Sequence, residues 1–267
     1  NNSNGSIPPF SAQQVGDIYY SDLTGNWDYD SDGVWGEPTQ DRPDYYPEIY
    51  VGRVPSRTAD QALLWSTKAI IYEKDPGNGD PTYLTKALII CADEMRDLGQ
   101  HNVISALMPS NFNVNATSLL EQPSGGSYTP TGPSAIDVIT LMNDGWGFIS
   151  NLNHGAISFY VVRSVGFNRS DRSRVWGDTL YYADELGFNH LTTFDKPAIH
   201  YSISCDVAAF DFDKGIFNPG PWVTSYSLAE SYVLQPGGGV AFLGNTRWGW
   251  VSSSYRLESK FLQYILQ

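Results

Sequence analysis

Cysteine is scarce in this chain of 267 residues, where only Cys91 and Cys205 occur. Secreted scaffolds that depend on disulfides carry far more, so the fold does not rest on disulfide bonds. Positive charge is also scarce, with 16 Lys and Arg against 29 Asp and Glu and a formal net charge of -13. No basic stripe is on offer to a phosphate backbone, so nucleic acid is not an expected partner. An acidic surface suits metal cations or cationic peptides, or it simply keeps the protein in solution. Long apolar runs are missing too: nothing approaches a membrane span, and the chain opens on the polar stretch Asn1–Ser6 rather than on a signal segment. The numbering is therefore expected to start inside a longer precursor. Aromatic residues, by contrast, are plentiful at 14%, and charged residues are few at 17%, a profile that suits a compact extracellular protein.

The length allows one large domain with a partial neighbour. Residues 7–47 are rich in Asp, Gly, Pro and aromatics without periodicity, and read as a long ordered loop region held by something other than packing, for which a bound cation is the obvious candidate. Residues 48–54 read as a short strand. Thr58–Lys74 has apolar residues at three- and four-residue spacing, Thr58 as a cap and Asp75-Pro76-Gly77 as a stop, and reads as a helix. Strands are then expected over residues 86–92, 147–152, 197–204 and 239–243. Helices are expected over residues 101–108, 134–143 and 227–234. This alternation predicts an α/β fold, a mostly parallel sheet with helices on both faces and a loop-rich N-terminal part.

In such folds catalytic groups collect beyond the carboxyl ends of the strands. Three expected strands run into reactive residues: Asp93 and Glu94, Asn153-His154-Gly155, and Ser204-Cys205-Asp206. A thiol, an imidazole and a carboxylate at one sheet edge suit nucleophilic attack, because the thiolate is the attacking form and His manages its proton near neutral pH. His154 and Cys205 are 51 residues apart, close to the roughly 50 of caspases. Cys91 lies inside its strand and reads as a buried hydrophobe, while His101, His190 and His200 read as surface or hydrogen-bonded residues.

These motifs resemble the gingipain family of caspase-like cysteine peptidases. The resemblance is carried by Asn153-His154-Gly155 and Ser204-Cys205-Asp206-Val207-Ala208, each after an apolar strand. Flanking pieces extend it, among them Tyr19-Tyr20-Ser21-Asp22-Leu23, Trp27-Asp28, Gly36-Glu37, residues 47–53, Ala229-Glu230 and residues 238–244. It implies that Cys205 attacks the substrate carbonyl to form a thioester, with His154 as partner and the backbone N–H groups of Gly155 and Cys205 as oxyanion donors. Glu94 is implied as the residue that orients His154, with Asp93 as a rival one position away. Asp97 and Trp250 align with the carboxylate and aromatic wall that hold a basic side chain in members cutting after Arg or Lys. Here the chain departs from the family, since Glu94 and Asp97 are separated by two residues where the gingipains carry a longer insertion. The expected substrates are proteins or peptides, and the expected location is secreted or at the cell surface.

Asp28, Asp30, Asp32 and Glu37, with Gly33 in the turn, form an acidic loop suited to calcium, the one cofactor expected; no organic cofactor is expected. Glu37 falls at the tenth position of that loop and no helix pair flanks it, so it is no EF-hand. The alternative is a solvated acidic loop. On this reading residues 1–55 are the end of an N-terminal subdomain with the acidic loop, and residues 56–267 a caspase-like catalytic domain. That domain ends before the Gly-Asp-Pro segment and closing strand expected of the family, so a separate fragment or domain is expected to complete it. Two other readings stay open: an inactive binding or structural module on a peptidase fold, and a serine hydrolase using Ser204 or Ser227, neither of which lies in a Gly-x-Ser-x-Gly turn.

Overall fold

A computed structural model of the chain describes residues 17–37, 39–121, 132–163, 181–211 and 226–266, with the side chains of Asp93 and of residues 181–186 outside that description. Of the expected loop over residues 7–47, residues 7–16 and 38 therefore lie outside the described residues. The chain divides into two compact units, Asn1–Val54 and Pro55–Gln267.

The first unit has little regular structure beyond the four-residue helix α1 (Ile18–Ser21). Buried carboxylates organise it. Asp22 accepts the backbone N–H groups of Thr24, Gly25 and Asp44 and the Trp27 indole N–H, at 2.6–3.0 Å. Burial works against its ionisation, yet these donors win and hold its carboxyl below the ordinary value. Asp41 does the same for the backbone N–H groups of Tyr29 and Glu37. Around them Tyr19 meets Tyr20, Trp27 and Trp35 edge to face, at 5.3–5.7 Å between ring centres. The strand expected over residues 48–54 is not formed; this exposed segment has no ladder partner among the described residues, and its tie to the rest of the unit includes the Glu48 N–H donating to the Ser21 carbonyl at 3.0 Å.

The second unit opens with helix α2 (Ala59–Lys74), capped by Thr58, whose hydroxyl accepts the Gln61 N–H. There follow β1 (Lys86–Cys91), α3 (Asp93–Asp97), α4 (Gln100–Leu107), β2 (Asn113–Leu120), α5 (Ala135–Met142) and β3 (Phe148–Leu152). A small antiparallel sheet comes next, β4 (His154–Ala156), β5 (Phe159–Arg163) and β6 (Tyr181–Asp184), and then α6 (Glu185–Phe188). The chain continues through β7 (Ile199–Ser202), α7 (Leu228–Leu234), β8 (Ala241–Gly244) and α8 (Ser254–Ile265). The main sheet has five strands in the order β2-β1-β3-β7-β8, and every pairing is parallel.

Period-two alternation splits the apolar residues between two faces. Leu88 and Ile90 of β1 pack with Val138, Ile139 and Met142 of α5 and with Leu228 and Tyr232 of α7. Ala87, Ile89 and Cys91 of the same strand pack with Met95 of α3, Ile104 of α4 and Leu262 of α8. Each fully buried aliphatic side chain contributes about 1.5–3 kcal/mol, so covering both faces outweighs any single polar contact. Even so, the core holds charge-bearing groups. Lys68 of α2 is fully buried, and its Nζ donates to the carbonyls of Val233, Gln235 and Gly239 at 2.7–3.0 Å, binding α2 to the end of α7.

On the opposite face Glu258 of α8 is fully buried, with Ser150 facing its carboxyl but no hydrogen bond of good geometry to either oxygen among the described residues. Burial pushes its carboxyl up to about 8, while the facing Ser150 pulls the other way. Because the folded value lies above the unfolded one, the stabilisation is complete below the unfolded value and is lost as pH rises towards the folded value. Stability should fall by about 1.4 kcal/mol per pH unit between about pH 5 and pH 8 from this group alone. Glu258→Gln should flatten that slope and raise stability at the upper end. Urea unfolding across the range checks this, and an unaltered slope in the variant refutes it.

Candidate active site

Strands β1, β3 and β7 are neighbours and parallel, with Ala87 beside Phe148 and Phe148 beside Ile199. Their carboxyl ends therefore share one edge, and each continues into a reactive residue within three positions. After β1 comes α3, which carries Glu94 in its first turn; after β3 comes His154, the first residue of β4; and Ser202 at the end of β7 leads to Cys205.

Glu94 Oε2 lies 3.7 Å from His154 Nε2, with both side chains partly shielded. A carboxylate there can steady the orientation of the ring. Asp93 heads α3, and its side chain lies outside the described ones. The segments that carry Cys205 and His154 are tied directly. Ser204 Oγ donates to the Asn153 carbonyl at 2.8 Å, and Asn151 Nδ2 donates to Ser202 Oγ and Ser204 Oγ at 3.0 and 3.3 Å. The residue before Cys205 thus holds the residue before His154. Gly155 sits in the seam, where a Cβ would come within 2.7 Å of Ser204 Cβ and 3.0 Å of Val207 Cγ1. Its lack of a side chain is thus a packing requirement as well as an opening for an oxyanion.

Cys205 is partly buried, and its Sγ lies 3.3 Å from the Gly249 N–H. The following residue, Asp206, has φ 59, a left-handed conformation that costs a non-glycine residue on the order of 1 kcal/mol or more. The Asp206 N–H donates to the Arg247 carbonyl at 2.8 Å, and the Arg247 guanidinium forms a two-pronged pair with Asp211 at 3.0 and 2.6 Å. Burial raises the Asp206 carboxyl, and Arg247 opposes that rise.

Of the two expected specificity residues, Trp250 is exposed and meets Trp248 edge to face at 6.3 Å. Asp97 is exposed as well, and it pairs with the adjacent Arg96 at 2.7 Å. Ser204 and Ser227 do not suit a serine nucleophile: both are buried, the first bonded to Asn153 and the second capping α7 in a reciprocal pair with Glu230. His200 is enclosed by Phe242, Tyr232, Phe188 and Tyr160, and burial drives it down to about 3.

In the first unit, Asp28, Asp30 and Asp41 bring carboxylate oxygens within 4.8 Å of one another, as do Asp30, Asp32 and Glu37. Asp41 was not evident from the sequence motif, since it lies outside the alternating run. Glu37 is raised by burial and by the charges of Asp32, Asp30 and Asp41. An all-oxygen, mutually repelling set of this kind fits a hard cation such as calcium.

A parallel sheet that gathers a carboxylate, an imidazole and a thiol at one edge is the architecture of caspase-like cysteine peptidases. The family model for peptidase family C25 matches residues 1–267, and the chain belongs to that family, the gingipains. Solved structures agree in fold. The Arg-specific cysteine proteinase gingipain R matches with a TM-score of 0.58 and 16% identity over 84% of this chain and 45% of its own. A complex of RgpB pro- and mature domains from Porphyromonas gingivalis gives 0.59 and 15% over 84% and 47%. A structure named only as a protease gives 0.56 and 20% over 91% and 42%. The chain thus spans less than half the length of each. No curated protein matches the chain significantly.

Substituting Gly155→Ala should destabilise the protein by about 1–3 kcal/mol through overpacking. In a Ser204→Gly background the cost should shrink by at least about 0.5 kcal/mol, because the group it strikes is gone. Chemical denaturation of the four proteins of the cycle measures this, and strictly additive losses would show that the two positions do not press on each other.

Proposed function

We propose that the chain hydrolyses peptide bonds through a Cys205 thioester, with His154 as proton carrier and Glu94 as the residue that orients it. The observation that carries this is the shared edge: three adjacent parallel strands lead into Glu94, His154 and Cys205, and the Ser204–Asn153 hydrogen bond joins the last two segments. In this reading Nε2 faces Glu94 at 3.7 Å and Nδ1 takes the thiol proton and returns it to the leaving amine. Addition of sulfur to the carbonyl carbon places negative charge on the carbonyl oxygen, which the backbone N–H groups of Gly155 and Cys205 receive; water then releases the acid.

The proposed preference is for Arg or Lys before the cut. Gly249 touches the Cys205 sulfur, so its neighbours Trp248 and Trp250, both more than half exposed, stand beside the nucleophile and offer indole faces to a cation. Asp97 supplies the carboxylate by exchanging Arg96 for the substrate cation. Calcium held by Asp28, Asp30, Asp32 and Glu37, joined by Asp41, steadies the acidic loop, and a secreted or cell-surface location accords with it.

Cys205→Ala and His154→Ala should each remove nearly all activity, whereas Cys91→Ala should leave it largely intact. Activity surviving in Cys205→Ala sinks the assignment, and a wild type that cuts no peptide favours the inactive-module reading instead. On a peptide panel varied only before the cut, Asp97→Asn should lower kcat/KM for basic substrates at least about tenfold, roughly 1.4 kcal/mol, relative to neutral ones. Equal losses would make Asp97 a support of the fold.

Removing calcium by chelation should lower the thermal midpoint, and Asp30→Asn, at the residue common to both carboxylate groups, should abolish the response. A ligand at about one hundred times its Kd stabilises the native state by about 2.7 kcal/mol, well within reach of calorimetry. A midpoint indifferent to calcium, in protein shown to be metal-free at the outset, reduces the loop to a solvated turn.

A further inference from the structure

The segment that follows β8 folds back over the nucleophile turn. Asn245 Nδ2 donates to the carbonyls of Ile203 and Ser204 at 2.8 and 3.1 Å, the two residues immediately ahead of Cys205. The Asn245 carbonyl accepts the Ala208 N–H at 3.1 Å, and the Arg247 carbonyl accepts the Asp206 N–H at 2.8 Å. Four residues about the turn, Ile203, Ser204, Asp206 and Ala208, thereby lose their freedom to the same short stretch. The chain can approach this closely because residue 249 is glycine: a Cβ there would collide with the Ile203 carbonyl oxygen and lie 2.6 Å from Asn245 Nδ2. That close approach puts the Gly249 N–H 3.3 Å from Cys205 Sγ.

We propose that Asn245 and the Gly249 N–H form a cradle for the nucleophile, in which Asn245 is a positioning residue that clamps the turn and the Gly249 N–H stabilises the sulfur as thiolate. The inference rests on Cys205 being the nucleophile and adds what prepares it. Two contacts with Gly249 compete. As a thiol, Sγ donates to the Gly249 carbonyl at 3.5 Å, and as either species it accepts from the N–H. A thiol is a weak donor, whereas an N–H directed at an anion makes a charge-assisted bond roughly twice as strong as a neutral one. Ionisation therefore gives up the weaker contact and reinforces the stronger. Among the described residues, the charged groups on the elements that meet at the turn are His154 with Glu94, Asp206, and Arg247 with Asp211. Of these the imidazolium also favours the thiolate, so the two contributions need to be separated.

Alkylation of Cys205 by iodoacetamide, followed from about pH 5 to about pH 10 in a Cys91→Ala background, separates them. With His154→Ala added, the cradle predicts a midpoint still at least about one unit below the roughly 8.5 of a free cysteine. Asn245→Ala and Asn245→Asp, which each remove the paired donors, should raise the midpoint by about half a unit or more. On a peptide substrate they should lower kcat about tenfold or more with KM within about twofold. A midpoint at or above the free value in the His154→Ala protein overturns the proposal, as does an Asn245 variant that loses thermal stability alone and keeps the parent alkylation profile. If the Asn245 variants do not fold, the His154→Ala profile decides. Failure of the peptidase assignment is seen separately, as activity that survives Cys205→Ala.

Discussion

The ladder that binds β1, β3 and β7 side by side is the constraint on which the rest depends. Because the pairing is parallel and in register, the three strands end at one level, and residues distant in the chain arrive at one sheet edge without any loop having to search for them. The two apolar layers exist to keep that ladder dry, and the short hydrogen bonds around Ser204 make the last adjustment between segments that the ladder has already brought together. Precision near the nucleophile is thus inherited from a rigid sheet rather than created locally.

Much of this was open to reading from the sequence, because buried parallel strands announce themselves as apolar runs and their termini announce themselves as punctuation. The strands at residues 86–91, 148–152, 199–202 and 241–244 stand where continuous apolar stretches predict them, the first three trimmed at one or both ends and the last starting two residues later and running one residue further. The edge strand β2 did not show, since Asn113-Val-Asn-Ala-Thr-Ser buries little and carries no run. Helix α8 also escaped notice, although Tyr255, Phe261 and Leu262 fall on one face and pack into the core; its other fully buried position, Glu258, is a carboxylate. Asn245 and Gly249 were legible only as neighbours of Trp250. Their contacts are with backbone atoms, which no pattern of side chains encodes.

In the first unit the physics is inverted. There is little apolar burial, and carboxylates that accept backbone N–H groups do the work that side-chain packing does elsewhere. Such a scaffold gathers negative charge as it folds. Asp22 and Asp41 are compensated by the donors they collect, while Glu37, crowded by Asp30, Asp32 and Asp41, is not. A loop built this way is predisposed towards cations by its construction, before any ligand is considered.

The buried carboxyl of Glu258 bears on how the catalytic unit comes apart. Helix α8 covers one face at the level of Ser150, and Gln100 Nε2 reaches across to the Val251 carbonyl just ahead of it. When Glu258 ionises, the penalty falls on the layer in which it is buried; in the opposite layer burial holds the Lys68 ammonium down to about 7, so that group gives up its charge in the same range and relieves a penalty of its own while its Nζ can still donate to the end of α7. Helix α8 is then the first cooperative segment to detach in alkaline solution, ahead of global unfolding, and amide protons along it should exchange with solvent by a route that the α5 and α7 amides do not share. Since Gly249 and Trp250 lie on the chain leading into α8, partial detachment would loosen the backbone that touches the Cys205 sulfur while the sheet stayed whole.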